Sequence, residues 1–243
     1  MNRGKGEWWD WTWNPFTGCN GGCDYCYARA RWHLSFEEKC GPFKPIVWRD
    51  RFDEPCRKKT PAVIFTVSMG DFFDPGFCNG DRDEVLCMIG ECDRHAYVIL
   101  TKNEDGLLRY SRYLEAYDED WPSNLWVGVS VTRARDLSRI HALKIAVPKG
   151  RRVVCFEPLL EPVEPDLTGI DWVMIGGMTG RQRFSPPPDW IKDIVFADKD
   201  MRAVVWIKRN AKAPAYLGHL RERPHEMFLW LRTAHRKQVL ERR

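Results

Sequence analysis

The sequence predicts an α/β protein in which parallel strands alternate with helices, as in a full or partial (β/α) barrel. Two observations predict this class. Short apolar runs rich in β-branched residues are typical of strands buried on both faces, and they span residues 62–68, 96–101, 125–131, 152–156, 171–177 and 203–208. Stretches that suit helices lie between them, at residues 81–95, 133–145 and 187–200. Strand, helix and strand at a spacing of about 30 residues form right-handed βαβ units and therefore a parallel sheet.

The first strand has a different pattern. Trp9, Trp11 and Trp13 alternate with polar residues, which predicts a half-buried strand that ends before Pro15. Residues 29–60 contain prolines and mixed charge. We expect one helix after the cysteine-rich segment and then a long connection to the second strand.

The chain is predicted to form one domain. Its 243 residues are 44% apolar, enough for a sizeable core. Residues 1–207 should form the barrel, and residues 208–243 a basic extension packed on the same domain. That extension carries ten Lys and Arg residues against three Glu. Such a tail fits either a surface that binds a nucleic acid or a solvated helix face.

Composition also indicates the compartment. No apolar run is long enough to span a bilayer, and the N-terminus lacks the apolar segment of a secretory signal. We therefore expect a cytoplasmic protein without a membrane partner. In a reducing compartment the nine cysteines are predicted to be ligands, reactive thiols or small buried residues rather than disulfides. No role is assigned to Cys40, Cys56, Cys78 or Cys92.

The polar and glycine-rich segments follow the predicted strands. In a parallel barrel, functional residues gather at the carboxyl ends of the strands. The segments found there are the cysteine-rich segment after strand one, residues 68–75, residues 101–103, Ser130 with Thr132, Glu157 and residues 176–180. We expect them to converge on one end of the barrel.

Three cysteines lie within eight residues, at Cys19, Cys23 and Cys26. This spacing allows three thiolates to hold three irons of a cubic [4Fe-4S] cluster and leaves the fourth iron open to a small molecule. A zinc site is the main alternative, with His33 or Cys40 as the next candidate ligand. Unligated thiols are the third possibility.

The CxxxCxxC spacing, with Tyr25 directly before Cys26, resembles the signature of the radical S-adenosylmethionine (SAM) superfamily. The blocks "WTWNPFTGC", "SMGDFFDP", "CFEPLLEPV" and "DWVMIGGMTG" are similar to those of short phage and bacterial radical SAM proteins of unknown function. Spore photoproduct lyase is a more distant likeness. The resemblance implies a partial (β/α)6 barrel of the TIM type.

The resemblance also implies roles for single residues. Cys19, Cys23 and Cys26 would ligate the [4Fe-4S] cluster, whose open iron would be chelated by SAM. Asp71 would take the place of the usual acid that meets the methionyl amino group, and Ser68 and Gly70 lie in the same turn. Ser130 would contact the ribose or carboxylate of SAM, and Gly176 and Gly177 would lie near its adenine. Contacts to SAM or substrate are also implied for Thr101, Lys102 and Glu157.

An adenosyl radical requires a site that excludes water and holds the substrate in place. We expect aromatic residues to close the mouth of the barrel, or else to pack in an ordinary core. The candidates are Trp11, Trp13, Phe72, Phe73 and Trp126.

The expected function is reductive cleavage of SAM and use of the 5′-deoxyadenosyl radical on a nucleic acid or nucleotide. The phage likeness and the basic tail favour isomerisation or another change of a thymidine substituent in hypermodified phage DNA, in the host cytoplasm. An external one-electron reductant of the flavodoxin or ferredoxin type is implied. The alternatives are a radical SAM enzyme acting on a small metabolite or peptide, and a non-enzymatic zinc- or cluster-binding nucleic-acid module.

Overall fold

The structure is a computed structural model that describes residues 1–4, 7–180, 182–197 and 202–227. It is a mixed α/β fold. The strands are β1 (Asn2–Arg3), β2 (Trp11–Trp13), β3 (Phe16–Thr17), β4 (Ile46–Val47), β5 (Val63–Thr66), β6 (Ala96–Thr101), β7 (Leu125–Ser130), β8 (Arg151–Phe156), β9 (Trp172–Ile175) and β10 (Val204–Ile207). The α-helices are α1 (Tyr27–Ser35), α2 (Glu37–Cys40), α3 (Glu54–Arg57), α4 (Asn79–Glu91), α5 (Glu104–Ala116), α6 (Ser138–Ala146) and α7 (Pro188–Val195). Short 3₁₀ helices span Arg49–Arg51, Ala134–Asp136 and Arg209–Ala211.

The main sheet runs in the order β1-β2-β5-β6-β7-β8-β9-β10. All neighbours from β2 to β10 pair in parallel, and β1 pairs antiparallel with β2. β3 and β4 form a separate antiparallel pair. The predicted α/β class and the six apolar strands are confirmed, with ends trimmed by a few residues. Among the described residues β1 and β10 do not pair, so the sheet is not closed by hydrogen bonds.

One face of the sheet packs against the helices. Residues of this face alternate along each strand with residues of the other face, as the strand period of two requires. On β7, Val127 and Val129 belong to the helix-side core, where they join Ile89 of α4 and Leu107 of α5. Their burial accounts for the continuous apolar runs of the sequence.

The opposite face, here called the inner face, is filled by tryptophans. Trp8, Trp126, Trp172 and Trp206 form one buried cluster with small apolar strand residues. The rings of Trp8 and Trp172 lie 5.5 Å apart, although β2 and β9 are far apart in the strand order. The sheet therefore curls around this cluster.

Ion pairs tie the two edges of the curled sheet together. Arg221 lies 3.3 Å from Glu7, and Arg223 lies 3.0 Å from Asp10. Both arginines belong to the predicted basic extension, of which residues 228–243 lie outside the described part of the chain. These two cations are therefore used within the fold.

The aromatic residues expected at the mouth divide between the two faces. Trp13, Phe72 and Phe73 are buried in the helix-side core, and Trp11 packs against it. Only Trp126 of the five lies in the inner-face cluster. The expectation that all five close the mouth is therefore wrong, and the alternative, ordinary core packing, is confirmed for Trp13, Phe72 and Phe73.

Cys56 and Cys92 form a disulfide between α3 and the end of α4, with Cα atoms 5.3 Å apart. This separation lies within the range of protein disulfides. The prediction of thiols without disulfides is therefore wrong for this pair. The long connection before β5 folds back onto α4, and the spacing of 36 residues gave no sign of that contact.

None of the described helices is long and apolar enough to cross a membrane.

His95 is fully buried immediately before β6. Its Nε2 lies 3.1 Å from the carbonyl oxygen of Pro55 and 3.2 Å from that of Lys58. Burial lowers the pKa of His95 from 6.5 to about 4, and the charges of Arg94 and Lys58 also lower it.

This buried histidine predicts a pH-dependent stability. The unfolded chain takes up the His95 proton near pH 6.5, whereas the folded chain takes it up only near pH 4. The free energy of unfolding should therefore be fully retained above pH 6.5 and fall by about 3 kcal/mol as the pH approaches 4. His95→Gln keeps an amide donor for the two carbonyls and removes the titration. Urea unfolding across this range checks the prediction, and an equal decline in the variant would contradict it.

Candidate functional site

The site lies at the carboxyl ends of β2 and β5–β10 and in the loops that follow them, together called the mouth. Parallel strands bring these loops to one edge of the sheet. Residues 18–26, here called the cysteine loop, follow β3 and lead into α1. All the residues predicted as cofactor contacts belong to these loops and strand ends.

The first half of the cysteine loop is held by backbone and carboxylate contacts. The Gly18 amide donates to the carbonyl oxygen of Met69 at 2.8 Å. Asp74, which is buried, accepts from the backbone and the side-chain amide of Asn20, each at 2.7 Å. The loop between β5 and α4 therefore sets the position of Cys19.

The second half of the loop is held from the other side. The Tyr25 hydroxyl donates to Thr132 Oγ1 at 3.3 Å, and the Thr132 hydroxyl donates to Asp136 at 2.7 Å. Burial raises the pKa of Asp136, but the hydrogen bonds from Thr132 and the charge of Arg139 lower it by more. The net effect is a lowered pKa, and the carboxylate stays ionised. Tyr25 thus joins the loop to the end of β7.

The three thiols are free and half-buried. Cys26 is the N-cap of α1, and its sulfur accepts from the Arg29 amide at 3.3 Å. Burial raises the pKa of Cys19 to about 11, and the carboxylates of Asp71 and Asp74 also raise it. Metal binding requires the thiolate, so loading a cation at Cys19 must release a proton.

The donor geometry does not form a single-ion site. In the described part of the chain, no three His, Cys, Asp or Glu side chains are arranged to hold one metal ion. A structural zinc ion draws four ligands around one centre, whereas a cubic cluster offers a separate iron to each thiolate. Three free thiols on one loop have the chemistry of cluster ligands, and the ligation by Cys19, Cys23 and Cys26 stays a prediction.

Asp71 and Thr101, both predicted contacts, lie together. The Thr101 hydroxyl donates to Asp71 Oδ1 at 2.6 Å, and the backbone amides of Phe73 and Lys102 donate to the same carboxylate at 3.0 and 2.9 Å. The carboxylate therefore links the loop after β5 to the end of β6. Asn103 then caps α5 by accepting from the Gly106 amide at 3.0 Å.

Ser68 and Gly70 lie beside the start of the cysteine loop. Asn14 Oδ1 accepts from the Ser68 hydroxyl at 3.2 Å and from the Met69 amide at 2.9 Å. A Cβ atom on Gly70 would lie 2.7 Å from the carbonyl oxygen of Gly18. The turn therefore needs glycine so that the two loops can approach.

Ser130 and Lys102 stand on neighbouring strand ends. Ser130 is buried at the end of β7, and its carbonyl oxygen accepts from Arg139 at 2.8 Å. The Lys102 ammonium lies 5.8 Å from the ring centre of Tyr25. No ion pair of Lys102 occurs within the described residues, so one positive charge is available at the mouth.

Glu157 forms a partly buried ion pair with Lys208, whose Nζ donates to Oε1 at 2.5 Å. Burial alone lowers the pKa of Lys208, but the charge and hydrogen bond of Glu157 outweigh it and the pKa is raised. The ammonium also lies 5.3 Å from the ring centre of Trp9. This pair spans β8 and β10 above the tryptophan cluster.

Gly176 and Gly177 leave room for this ion pair and its neighbours. A Cβ atom on Gly176 would lie 2.9 Å from the Glu157 carboxyl carbon. The Gly177 backbone amide donates to Asn210 Oδ1 at 3.2 Å, and Asn210 Nδ2 donates to the Gly177 carbonyl oxygen at 2.8 Å. The structure thus gives these glycines a packing role, and their predicted adenine contact stays a prediction.

The sequence reasoning missed buried Asn14 and Asp74 and half-buried Asn210, which organise the site. It also placed Lys208 in the basic extension, as part of either a nucleic-acid surface or a solvated helix face. The strand period of two could have placed Lys208. It puts Val204, Trp206 and Lys208 on the same side of the chain, and Val204 and Trp206 lie on the inner face of β10. No comparable pattern marks Asn14 or Asp74, because their partners lie 54 or 55 residues away.

Lys208→Met is expected to destabilise the protein by about 2–3 kcal/mol, because it leaves the Glu157 carboxylate without its cation in a mostly buried position. The double variant Glu157→Gln with Lys208→Met should recover most of that loss. Lys192→Met breaks the exposed pair with Asp189 and should cost less than about 1 kcal/mol. Urea unfolding of the three variants measures these values. Equal losses for the two single variants would contradict the buried pair.

Comparison with known proteins identifies the family of the chain. Residues 3–212 match a family model described as "Protein of unknown function (DUF5131)". No curated protein and no solved structure matches the chain. Because the match covers most of the 243 residues, this protein belongs to the DUF5131 family.

Proposed function

We propose that this protein is a radical SAM enzyme. The observation that carries the proposal is the cysteine loop, with three free, half-buried thiols in CxxxCxxC spacing. The loop follows the first parallel strand and is tethered at both halves to the loops after β5 and β7. Such tethers pre-organise thiolates for a cluster and reduce the ordering cost of loading it.

The curled sheet supports a partial (β/α)6 barrel of the TIM type. Its parallel strands follow one another in chain order from β5 to β10, and helices separate most of them. Contacts between the N-terminal segment and β9 or β10 draw the two edges together. A barrel of this kind places its chemistry at the carboxyl ends of its strands.

Cys19, Cys23 and Cys26 would hold a [4Fe-4S] cluster, and the mouth would hold SAM. When both are bound, the cluster would supply the electron that cleaves SAM to a 5′-deoxyadenosyl radical. The residues proposed to contact SAM or substrate are Ser68, Gly70, Asp71, Thr101, Lys102, Ser130, Glu157, Gly176 and Gly177.

The described contacts refine several of these roles. The Asp71 carboxylate accepts hydrogen bonds from three donors, so its main role is to hold the loop after β5 against the end of β6. Lys102 keeps a charge for an anionic group of SAM or substrate. The tryptophan cluster below Glu157 and Lys208 excludes water from the inner face, which protects a radical from side reactions.

The proposed substrate is a nucleic acid or nucleotide, with a thymidine substituent of phage DNA as the leading candidate. The basic extension supports it in part only, because Lys208, Arg221 and Arg223 are engaged in ion pairs within the fold. This observation favours a second candidate, a radical SAM enzyme acting on a small metabolite or peptide.

Oligonucleotide binding separates the two candidates. A nucleic-acid substrate held through phosphates should bind with an affinity that falls steeply as salt rises. Fluorescence anisotropy with a thymidine-rich oligonucleotide measures it at several salt concentrations. A dissociation constant that does not change with salt would remove the nucleic-acid candidate.

Anaerobic reconstitution tests the enzyme itself. The protein should take up about four irons per chain, turn brown and convert SAM to 5′-deoxyadenosine with dithionite. Deuterium transfer from a labelled candidate substrate into 5′-deoxyadenosine would then locate the abstracted hydrogen. A colourless protein that binds one zinc ion would instead indicate the zinc-binding module and refute the proposal.

A further inference from the structure

The loops after β9 and β10 form one edge of the mouth, and both are free of acidic residues. Residues 176–187 follow β9 and residues 208–219 follow β10. The first segment contains two Lys or Arg residues and the second contains three, whereas neither contains Asp or Glu. This edge of the mouth therefore has a cationic composition on two consecutive loops.

Close backbone contacts hold the two loops side by side. Asn210 Nδ2 donates to the Gly177 carbonyl oxygen at 2.8 Å. A Cβ atom on Gly177 would lie 2.5 Å from the carbonyl oxygen of Phe184 and 2.7 Å from that of Asn210. Arg183 directly precedes Phe184, and Arg209 directly precedes Asn210. Both arginines therefore leave the backbone near the same junction.

Three cations of these loops are exposed, namely Arg183, Arg209 and Lys212, here called the basic rim. Their charges are not used within the described part of the chain, where none of the three forms an ion pair or a side-chain hydrogen bond. The nearby carboxylate of Glu157 is already paired with Lys208. The basic rim therefore offers its positive charge to a ligand.

Lys212 occupies a backbone position that does not favour lysine. Its φ is +52°, in the left-handed region that glycine and asparagine adopt most readily. The lysine is exposed there, so burial does not offset the cost of this conformation. Strained backbone at a residue without a packing role is typical of functional sites.

We propose that the basic rim binds phosphates of a nucleic-acid backbone and so holds the strand whose base enters the mouth. The inference rests on the nucleic-acid candidate of the proposed function and names the residues that would bind it. Guanidinium and ammonium groups are the usual partners of phosphate oxygens. Exposed cations spread over two loops suit the phosphates of a strand, whereas a free mononucleotide is usually held in an enclosed pocket.

The position of the basic rim fits this role better than the rest of the basic extension does. Arg221 and Arg223 are engaged in ion pairs with the N-terminal segment. The basic rim instead lies at the carboxyl ends of β9 and β10, the edge of the sheet that also carries the cysteine loop. Phosphate contacts fix the position of a strand without reading its sequence, so choice of the base is left to the mouth.

Replacing the basic rim with glutamine should weaken oligonucleotide binding. The rim variant carries Arg183→Gln, Arg209→Gln and Lys212→Gln, and circular dichroism establishes that it is folded. In fluorescence anisotropy with a single-stranded thymidine-rich oligonucleotide, its dissociation constant at low salt should rise at least about tenfold. The slope of log Kd against log salt should fall by about 2, since each phosphate neutralised on a single strand contributes about 0.7. An adenine-rich oligonucleotide should lose affinity equally, because phosphates carry no sequence information.

A matched triple variant controls for the change in net charge. It carries Arg109→Gln, Arg112→Gln and Lys149→Gln, which remove three exposed cations from α5 and from the turn before β8. The two triple variants have the same net charge, so a general electrostatic effect would be equal in both. The control variant should match the wild type in affinity and in salt dependence.

Lys212→Gly separates binding from folding. Glycine adopts the φ of +52° without the cost of a Cβ atom, so this variant should be no less stable than the wild type in urea unfolding. It should nevertheless bind the oligonucleotide more weakly. Lower stability with unchanged binding would assign the lysine to the fold and contradict its place in the basic rim.

Equal binding by the rim variant and the control variant would overturn the proposal. A loss confined to the thymidine-rich oligonucleotide would also overturn it, because the basic rim would then contact bases. If thymidine monophosphate bound as tightly as the oligonucleotide, a mononucleotide would replace the backbone as the ligand. A wild-type protein that cleaves SAM but binds no oligonucleotide would overturn the basic rim and leave the proposed enzyme intact. Binding through the basic rim by a protein that takes up no iron would refute the enzyme and leave the basic rim.

Discussion

Replacing Cys19, Cys23 and Cys26 together with alanine should abolish iron binding and SAM cleavage. The three thiols are free and lie on one loop of the mouth that is tethered at both halves. Without thiolates the loop lacks the ligands that hold an iron–sulfur cluster. Iron content after anaerobic reconstitution should fall from about four atoms per chain to nearly none, and 5′-deoxyadenosine should not form above the protein-free background.

A matched triple variant controls for the loss of thiols in general. Cys40, Cys78 and Cys87 are also free, and none of them lies in the cysteine loop. Their replacement with alanine should leave iron content and cleavage intact. If this variant lost its metal while the other retained it, the cysteine loop would not be the metal site. Loss of metal in both variants would instead point to a closed site that includes Cys40.

Gly18→Ala should displace the cysteine loop and strongly reduce cluster loading. Gly18 has a φ of +75°, and residues with a Cβ atom adopt this backbone conformation only at a cost in free energy. A Cβ atom there would also overlap the carbonyl group of Lys44. Backbone strain and overlap together should cost about 2–4 kcal/mol. Because Cys19 is the next residue, iron content should fall by at least about half.

Gly22→Ala is the control for this variant within the same loop. A Cβ atom on Gly22 would meet no atom within 4 Å. Its iron content and unfolding midpoint should match those of the wild type. Normal loading in the Gly18 variant would show that the turn before Cys19 does not set the position of the thiols.

The fold class followed from local patterns in the sequence. Continuous apolar runs at regular spacing predicted the strands β5–β10 within a few residues, because strands buried between helices and a filled inner face need apolar residues on both sides. The same reasoning failed to divide the aromatics between the two faces. Trp13 and Trp126 both lie on predicted strands but on opposite faces of the sheet.

The site followed from the sequence only in outline. Spacing alone indicated the three cysteines, and the rule for strand ends indicated Asp71, Thr101 and Glu157 as neighbours of the mouth. The partners that hold these groups could not be found in this way. Asn14, Asp74 and Asn210 act through hydrogen bonds to loops distant in the sequence, and no regular spacing of residue types marks such contacts.

The basic extension shows how far composition can be trusted. Its charge fitted either a surface that binds a nucleic acid or a solvated helix face. Within the described residues, however, Lys208 pairs with Glu157, Arg221 with Glu7 and Arg223 with Asp10. Composition counts charges without their partners, and only the fold brings the acids of the N-terminal segment next to these cations.

The sequence by itself determined the order of strands and helices and the spacing of three thiols on one loop, since both depend on residues close together in the chain. Only the tertiary structure decided which cations remain available and which cysteines pair. Those properties depend on contacts between residues tens to hundreds of positions apart, which form when the sheet curls and the chain folds back on it.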